Sequence, residues 1–135
     1  LGKSEIKISG KDVTIVSFGK ILKEAVKAID ELKNENIDAE LIDLRTIRPL
    51  DIEPIIGSVK KTNRLVILEE SWPYGNISSE ISYQVQNRIF DYLDAPIEKI
   101  NTADTPAPYS PVLLAEWIPN YKDVINAVKK VLYKS

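Results

Sequence analysis

The groups in this chain of 135 residues that could move a proton or hold an anion are few in kind: 20 carboxylates, 18 lysines and arginines, and 6 tyrosines, with no histidine and no cysteine. Without histidine, the commonest general base, the serine–histidine pair and the commonest metal ligand are all missing. Without cysteine there is no thiolate nucleophile, disulfide or zinc–thiolate site. Two stretches concentrate what is left. Residues 43–51, DLRTIRPLD, set Arg45 and Arg48 among Asp43 and Asp51, and Glu69 stands beside Glu70 ahead of a loop carrying Trp72 and Tyr74. Arg45, Arg48 and Lys20 could together hold a small anion or a nucleotide phosphate, which Glu69 and Glu70 would repel unless paired with them. The plainer reading pairs Arg45 and Arg48 with Asp43, Asp51 or Glu69 and makes them braces between loops. Adjacent Glu69 and Glu70 make a poor acid–base pair, because neighbours on an extended chain point to opposite faces. The five glycines lie at 2, 10, 19, 57 and 75, too far apart for a dinucleotide fingerprint or a phosphate loop. No carboxylates have the spacing of a calcium loop or a helical metal site.

The composition narrows the field further. A net charge of −2 provides no broad positive field for nucleic acid or an anionic membrane, and 44% apolar content suits one globular domain. No apolar run approaches the roughly 20 residues of a membrane span, and the amino end lacks the hydrophobic core of a signal peptide. The chain opens on Leu1 and contains no methionine, so it is expected to be a piece of a longer protein.

The elements that must position these residues follow from periodicity. Residues 5–8 alternate as a short edge strand, and 13–17 form a β-branched run of the kind buried on both faces. Leu22, Ala25, Val26, Ile29 and Leu32 share one helical stripe, and residues 39–44 make the next strand. Asp51 is placed to cap a helix whose inner face is Ile52, Ile55, Ile56 and Val59, with Pro54 tolerated in its first turn. Residues 65–69 form another buried strand; Ile77, Ile81, Val85 and Ile89 mark a helix; residues 97–100 form a short strand. Four prolines between 102 and 119 predict an extended surface segment that leaves Tyr109 and Trp117 in loops, and residues 120–133 close the domain as a helix. Alternating strands and helices predict an open α/β domain, with a mostly parallel sheet covered on both faces. Trp72, Tyr74, Tyr109 and Trp117 are aromatic residues outside the periodic stripes, which either anchor an interface or cover helix ends of this domain; a protein-interaction role stands ahead of catalysis.

The ordered series VTIVSFG (13–19), DLRTIRPLD (43–51), VKKTNRLVILEE-x-WP-x-G (59–75), FDYLDAP (90–96), TADTPAPYS (102–110) and IPNYKDVINAVKKVL (118–132) resembles the carboxy-terminal domain of pyruvate dehydrogenase beta subunits. Trp72-Pro73 favours the pyruvate enzymes over their branched-chain relatives. The resemblance implies a single transketolase C-terminal-like domain over residues 1–135: a three-layer α/β/α fold with five strands, the first antiparallel. It implies an enzyme with two alpha and two beta subunits that uses thiamin diphosphate and magnesium to decarboxylate pyruvate and acetylate the lipoyl group of an acetyltransferase. In that family the coenzyme lies between alpha and the amino-terminal domain of beta, so this piece alone is expected to bind no cofactor and to be inactive. The domain's implied part is assembly, through the alpha subunit, a second beta subunit and the basic subunit-binding domain of the acetyltransferase. The implied docking residues are Asp94, Tyr133, Lys134 and Ser135. Arg45, Arg48, Glu69, Trp72 and Tyr74 are the implied interface or loop-bracing residues. The compartment would be the cytoplasm of a bacterium or the mitochondrial matrix.

Overall fold

The computed structural model describes residues 3–45, 50–70, 76–102 and 109–134. Five strands, β1 (Glu5–Ile8), β2 (Val13–Ser17), β3 (Ala39–Asp43), β4 (Leu65–Leu68) and β5 (Glu98–Ile100), form one sheet in the order β1-β3-β2-β4-β5. Strand β1 runs antiparallel on the edge, and the other four are parallel, as the alternation and the resemblance predict. Val13 lies opposite Ala39 and Ser17 opposite Asp43, so β2 and β3 pair along their whole lengths.

Period-two alternation divides the sheet between two cores. Val13, Ile15, Leu41, Val66 and Leu68 point to one face, where α1 (Leu22–Lys33) and α5 (Tyr121–Val131) bury Ala25, Ala28, Ile29, Leu32, Val124 and Val128. Val16, Ile42, Leu65 and Ile67 point to the other, against Ile55, Ile56 and Val59 of α2 (Glu53–Thr62) and Ile81, Val85 and Ile89 of α3 (Ile77–Ile89). Each fully buried leucine or isoleucine contributes about 1.5–3 kcal/mol, which holds the strand ends in place for the surface loops. No described helix is long and apolar enough to cross a membrane.

Several sequence expectations need correction. Val26 is exposed and Ala28 is buried: Ala25, Ile29 and Leu32 hold the centre of the stripe, and the position that flanks them on the core side is 28 and not 26. Asp51 does not cap α2. Its Oδ2 accepts the Ser4 N–H at 3.1 Å, which ties the amino end to this corner, and Ile52 begins the helix without a side-chain cap. The proline-rich segment is not wholly extended: α4 (Pro111–Trp117) begins on a proline, whose missing N–H would be unpaired in a first turn anyway, and Trp117 falls in that helix.

Two polar features of the strands escape the pattern of apolar runs. Thr14 on β2 meets Ser58 at 2.6 Å and Thr62 at 2.7 Å, so three hydroxyls join the sheet to α2. Glu40 on β3 has a side chain only 1% exposed, and its Oε1 accepts from the Lys61 ammonium and from the Gly10 N–H. Burial pushes the Glu40 carboxyl up, but Lys61 first, then the nearby Ser58 hydroxyl dipole and the Gly10 amide, hold it below its usual range. Only glycine fits at 10, since a Cβ there would stand 2.3 Å from the Ala39 carbonyl carbon.

Candidate functional site

Asp94, Tyr133 and Lys134 come from segments about 40 residues apart, and the fold brings them to one corner near the amino ends of the parallel strands. Helix α2 ends on Asn63 with a left-handed φ of 64°, a conformation asparagine tolerates well. From there the Asn63 side-chain amide donates to the Tyr92 carbonyl at 2.8 Å, and the Asn63 backbone carbonyl accepts the Asp94 N–H at 2.9 Å. Helix α5 arrives with a Schellman ending: Tyr133 N–H donates to the Lys130 carbonyl, and Lys134 N–H to the Lys129 carbonyl. Tyr133 takes the left-handed place in that motif with φ 57°, which turns its hydroxyl to the Asp94 carbonyl at 3.4 Å. Asp94 keeps its carboxylate in solvent, with the side chain 57% exposed.

Beside this pair runs a groove of about 440 Å³, lined by Gln86, Phe90, Leu93, Pro96, Ile97 and Tyr133. A second groove of about 580 Å³ shares Gln86, Phe90 and Ile97 and adds Tyr83. Tyr83, Phe90, Tyr92 and Tyr133 are exposed aromatic side chains on this side, and Asp91 is an exposed acid among them. Aromatic anchors next to exposed carboxylates suit a protein partner with a basic surface.

One residue central to this corner was not singled out from the sequence. Arg64 donates from Nε to the Val131 carbonyl at 2.9 Å and sets Nη1 3.9 Å from Asp94 Oδ2. A sequence signal existed, because asparagine after the lysine pair 60–61 marks a helix ending in the left-handed conformation, with the next residue opening a strand.

At the carboxyl ends of the strands the predicted residues disperse. The Arg45 guanidinium crosses to Glu5 on the antiparallel edge at 2.8 Å, not to Asp43, Asp51 or Glu69; only its backbone N–H meets Asp43. Arg45 also has a positive φ of 63°. Glu69 is buried on the far side of β2 and accepts from Asn101 Nδ2 at 3.1 Å. Lys20 lines a groove with Lys23, Glu24 and Glu70, so the charges there are mixed and Arg45 is not among them. Arg48, Trp72, Tyr74 and Ser135 lie outside the described residues. Tyr109 is fully exposed. The described residues gather no three carboxylates that could hold a metal ion.

One antiparallel edge on an otherwise parallel five-stranded sheet, helices on both faces and a corner where Asp94 meets the end of α5 define the class of the domain, a doubly wound α/β fold. The chain belongs to the transketolase C-terminal domain family, whose model matches residues 2–124. It is 50% identical over 134 residues to the pyruvate dehydrogenase E1 component subunit beta of Rickettsia conorii, a match covering 99% of this chain and 41% of that protein. It is 45% identical over 135 residues to the mitochondrial subunit beta of Dictyostelium discoideum, covering 100% of this chain and 38% of that one. The chain thus spans about two fifths of the length of these relatives. Among solved structures, a split-gene transketolase in an inactive beta4 tetramer superposes with a TM-score of 0.83 at 29% identity, over 98% of this chain and 42% of that one.

Proposed function

We propose that this chain is the assembly and docking domain of a pyruvate dehydrogenase beta subunit. In this reading it packs against the alpha subunit and a second beta subunit, and it captures the basic subunit-binding domain of the acetyltransferase at the Asp94–Tyr133 corner. The observation that carries the reading is the meeting of Asp94 with the end of α5, which exposes a carboxylate beside an aromatic groove. The relatives' names and the missing histidine and cysteine support the enzyme and the division of labour within it. Thiamin diphosphate bound elsewhere in the complete enzyme would supply the carbanion-stabilising chemistry. The domain's own residues would hold the catalytic subunits together and keep them next to the lipoyl-bearing partner. The relatives include a bacterial and a mitochondrial protein, which fits either a bacterial cytoplasm or a mitochondrial matrix.

The test is a division of activities in the assembled heterotetramer. Asp94→Lys is expected to leave pyruvate decarboxylation with an artificial electron acceptor unchanged and to lower lipoyl-dependent acetyl transfer through the complex. Equal loss of both would place Asp94 in the fold or the chemistry and reject docking.

A further inference from the structure

The corner contains a side chain that holds two of its segments together, and that side chain is Arg64. Its side chain is only 25% exposed, and the guanidinium makes two contacts in different directions. Nε takes the Val131 carbonyl at 2.9 Å, one of the last carbonyls of α5, where a cation is favoured by the helix dipole. Nη1 stands 3.9 Å from Asp94 Oδ2, within ion-pair range but too far for a hydrogen bond. The backbone of Arg64 is itself fixed, because its carbonyl accepts from the Thr14 N–H at 2.9 Å and from the Thr62 hydroxyl at 3.1 Å. A planar guanidinium anchored at its root can serve two acceptors with fixed geometry, which an ammonium on a flexible stem does not.

We infer that Arg64 is a positioning residue for docking: it fixes the Asp94 carboxylate and the end of α5 in the arrangement a basic partner recognises, while leaving that carboxylate free to accept. The inference rests on the docking reading above. Asp94 makes no side-chain hydrogen bond among the described residues, so its acceptor capacity is unspent, and the loose ion pair narrows the directions it samples. Ordering a side chain on association weakens binding, and here much of that ordering is already present in the free protein. Arg64 also holds the carbonyl just before Leu132 and Tyr133, so the tyrosine edge of the groove and the carboxylate are set by the same group.

The experiment is a double-mutant cycle in the assembled heterotetramer, with the subunit-binding domain of the acetyltransferase as titrant and melting curves to check each variant's fold. Arg64→Met in the otherwise native protein is expected to weaken binding about three- to fivefold, mainly through faster dissociation. In an Asp94→Asn background the same substitution is expected to weaken binding by less than about twofold, since the share of its effect that passes through Asp94 is gone and only the share through the end of α5 is left. Arg64→Lys, which folds with a charge in place, is expected to recover less than half of the loss. A loss of the same size in both backgrounds would show Arg64 acting only through the fold and overturn the inference while leaving docking intact. Tighter binding by Arg64→Met would show that Arg64 competes with the partner and overturn it as well. If Asp94→Asn itself leaves affinity unchanged, the docking reading fails and takes this inference with it.

Discussion

Removing Lys61 should shift the pH behaviour of the carboxylate beneath it. Glu40 is 1% exposed and Lys61 51% exposed, so Lys61→Met strips a buried charge of a partner that is itself half in water. Breaking a fully buried pair costs about 3–5 kcal/mol and breaking a surface pair about 0–1. With the Gly10 N–H still donating to Glu40 Oε1, an intermediate loss of about 1.5–3 kcal/mol is expected, or roughly 5–10 °C in Tm for a domain of this size. In the native protein the folded pKa of Glu40 lies below its ordinary value of 4.5. Its contribution is therefore complete above 4.5 and fades as pH falls through the folded value. In Lys61→Met both contributions of Lys61 are gone and burial, the largest influence, is opposed only by Ser58 and Gly10, so the carboxyl moves up from its native value and the variant takes up a proton earlier as pH falls. Circular-dichroism melts from pH 7 to pH 4 should show the gap between the two proteins shrinking by about half or more. A gap independent of pH would refute the reasoning, as would an equally large effect of Lys61→Met in a Glu40→Gln background.

Two further stability predictions follow from particular contacts. Gly10→Ala forces a Cβ to within 2.3–2.7 Å of the Ala39 and Glu40 backbone, and is expected to lower stability by about 1–3 kcal/mol in urea titrations; a midpoint unchanged from native would show that β3 yields freely there. Asn120→Ala removes the capping box of α5, in which Asn120 accepts from the amides of Lys122 and Asp123, and should destabilise by about 1 kcal/mol with faster hydrogen exchange in the first turn; exchange unchanged there would mean that Asp123 or water replaces the cap.

Much of the fold is legible in the sequence because strong periodicities were not overridden. The β-branched run at 13–17 is fully buried, and Ile81, Val85 and Ile89 line one core in the order their spacing implies. The structure departs from the pattern where a single contact or position in a helix decides the outcome. Asp51 has the chemistry of a cap, yet Ser4 offers it a better-placed N–H from 47 residues away, a partner that no local pattern displays. Pro111 reads as a breaker but starts a helix, since proline terminates a helix from within and opens one from its first turn. Of the candidate site, Asp94 and Tyr133 came from resemblance, and the geometry of the chain's last helix turn explains why they meet. Asn63 marks the turn that carries Arg64, but no local pattern shows its partner 67 residues along the chain, and Glu40 is a charge inside an apolar strand whose partner sits 21 residues away.

The most direct test of docking is calorimetric titration of the acetyltransferase's subunit-binding domain into heterotetramer carrying native or Asp94→Lys beta chains. Replacing an exposed acceptor by a cation facing a basic partner is expected to weaken binding by at least about tenfold, with the difference shrinking as salt is raised. Equal affinity for the two proteins at low salt would contradict the account.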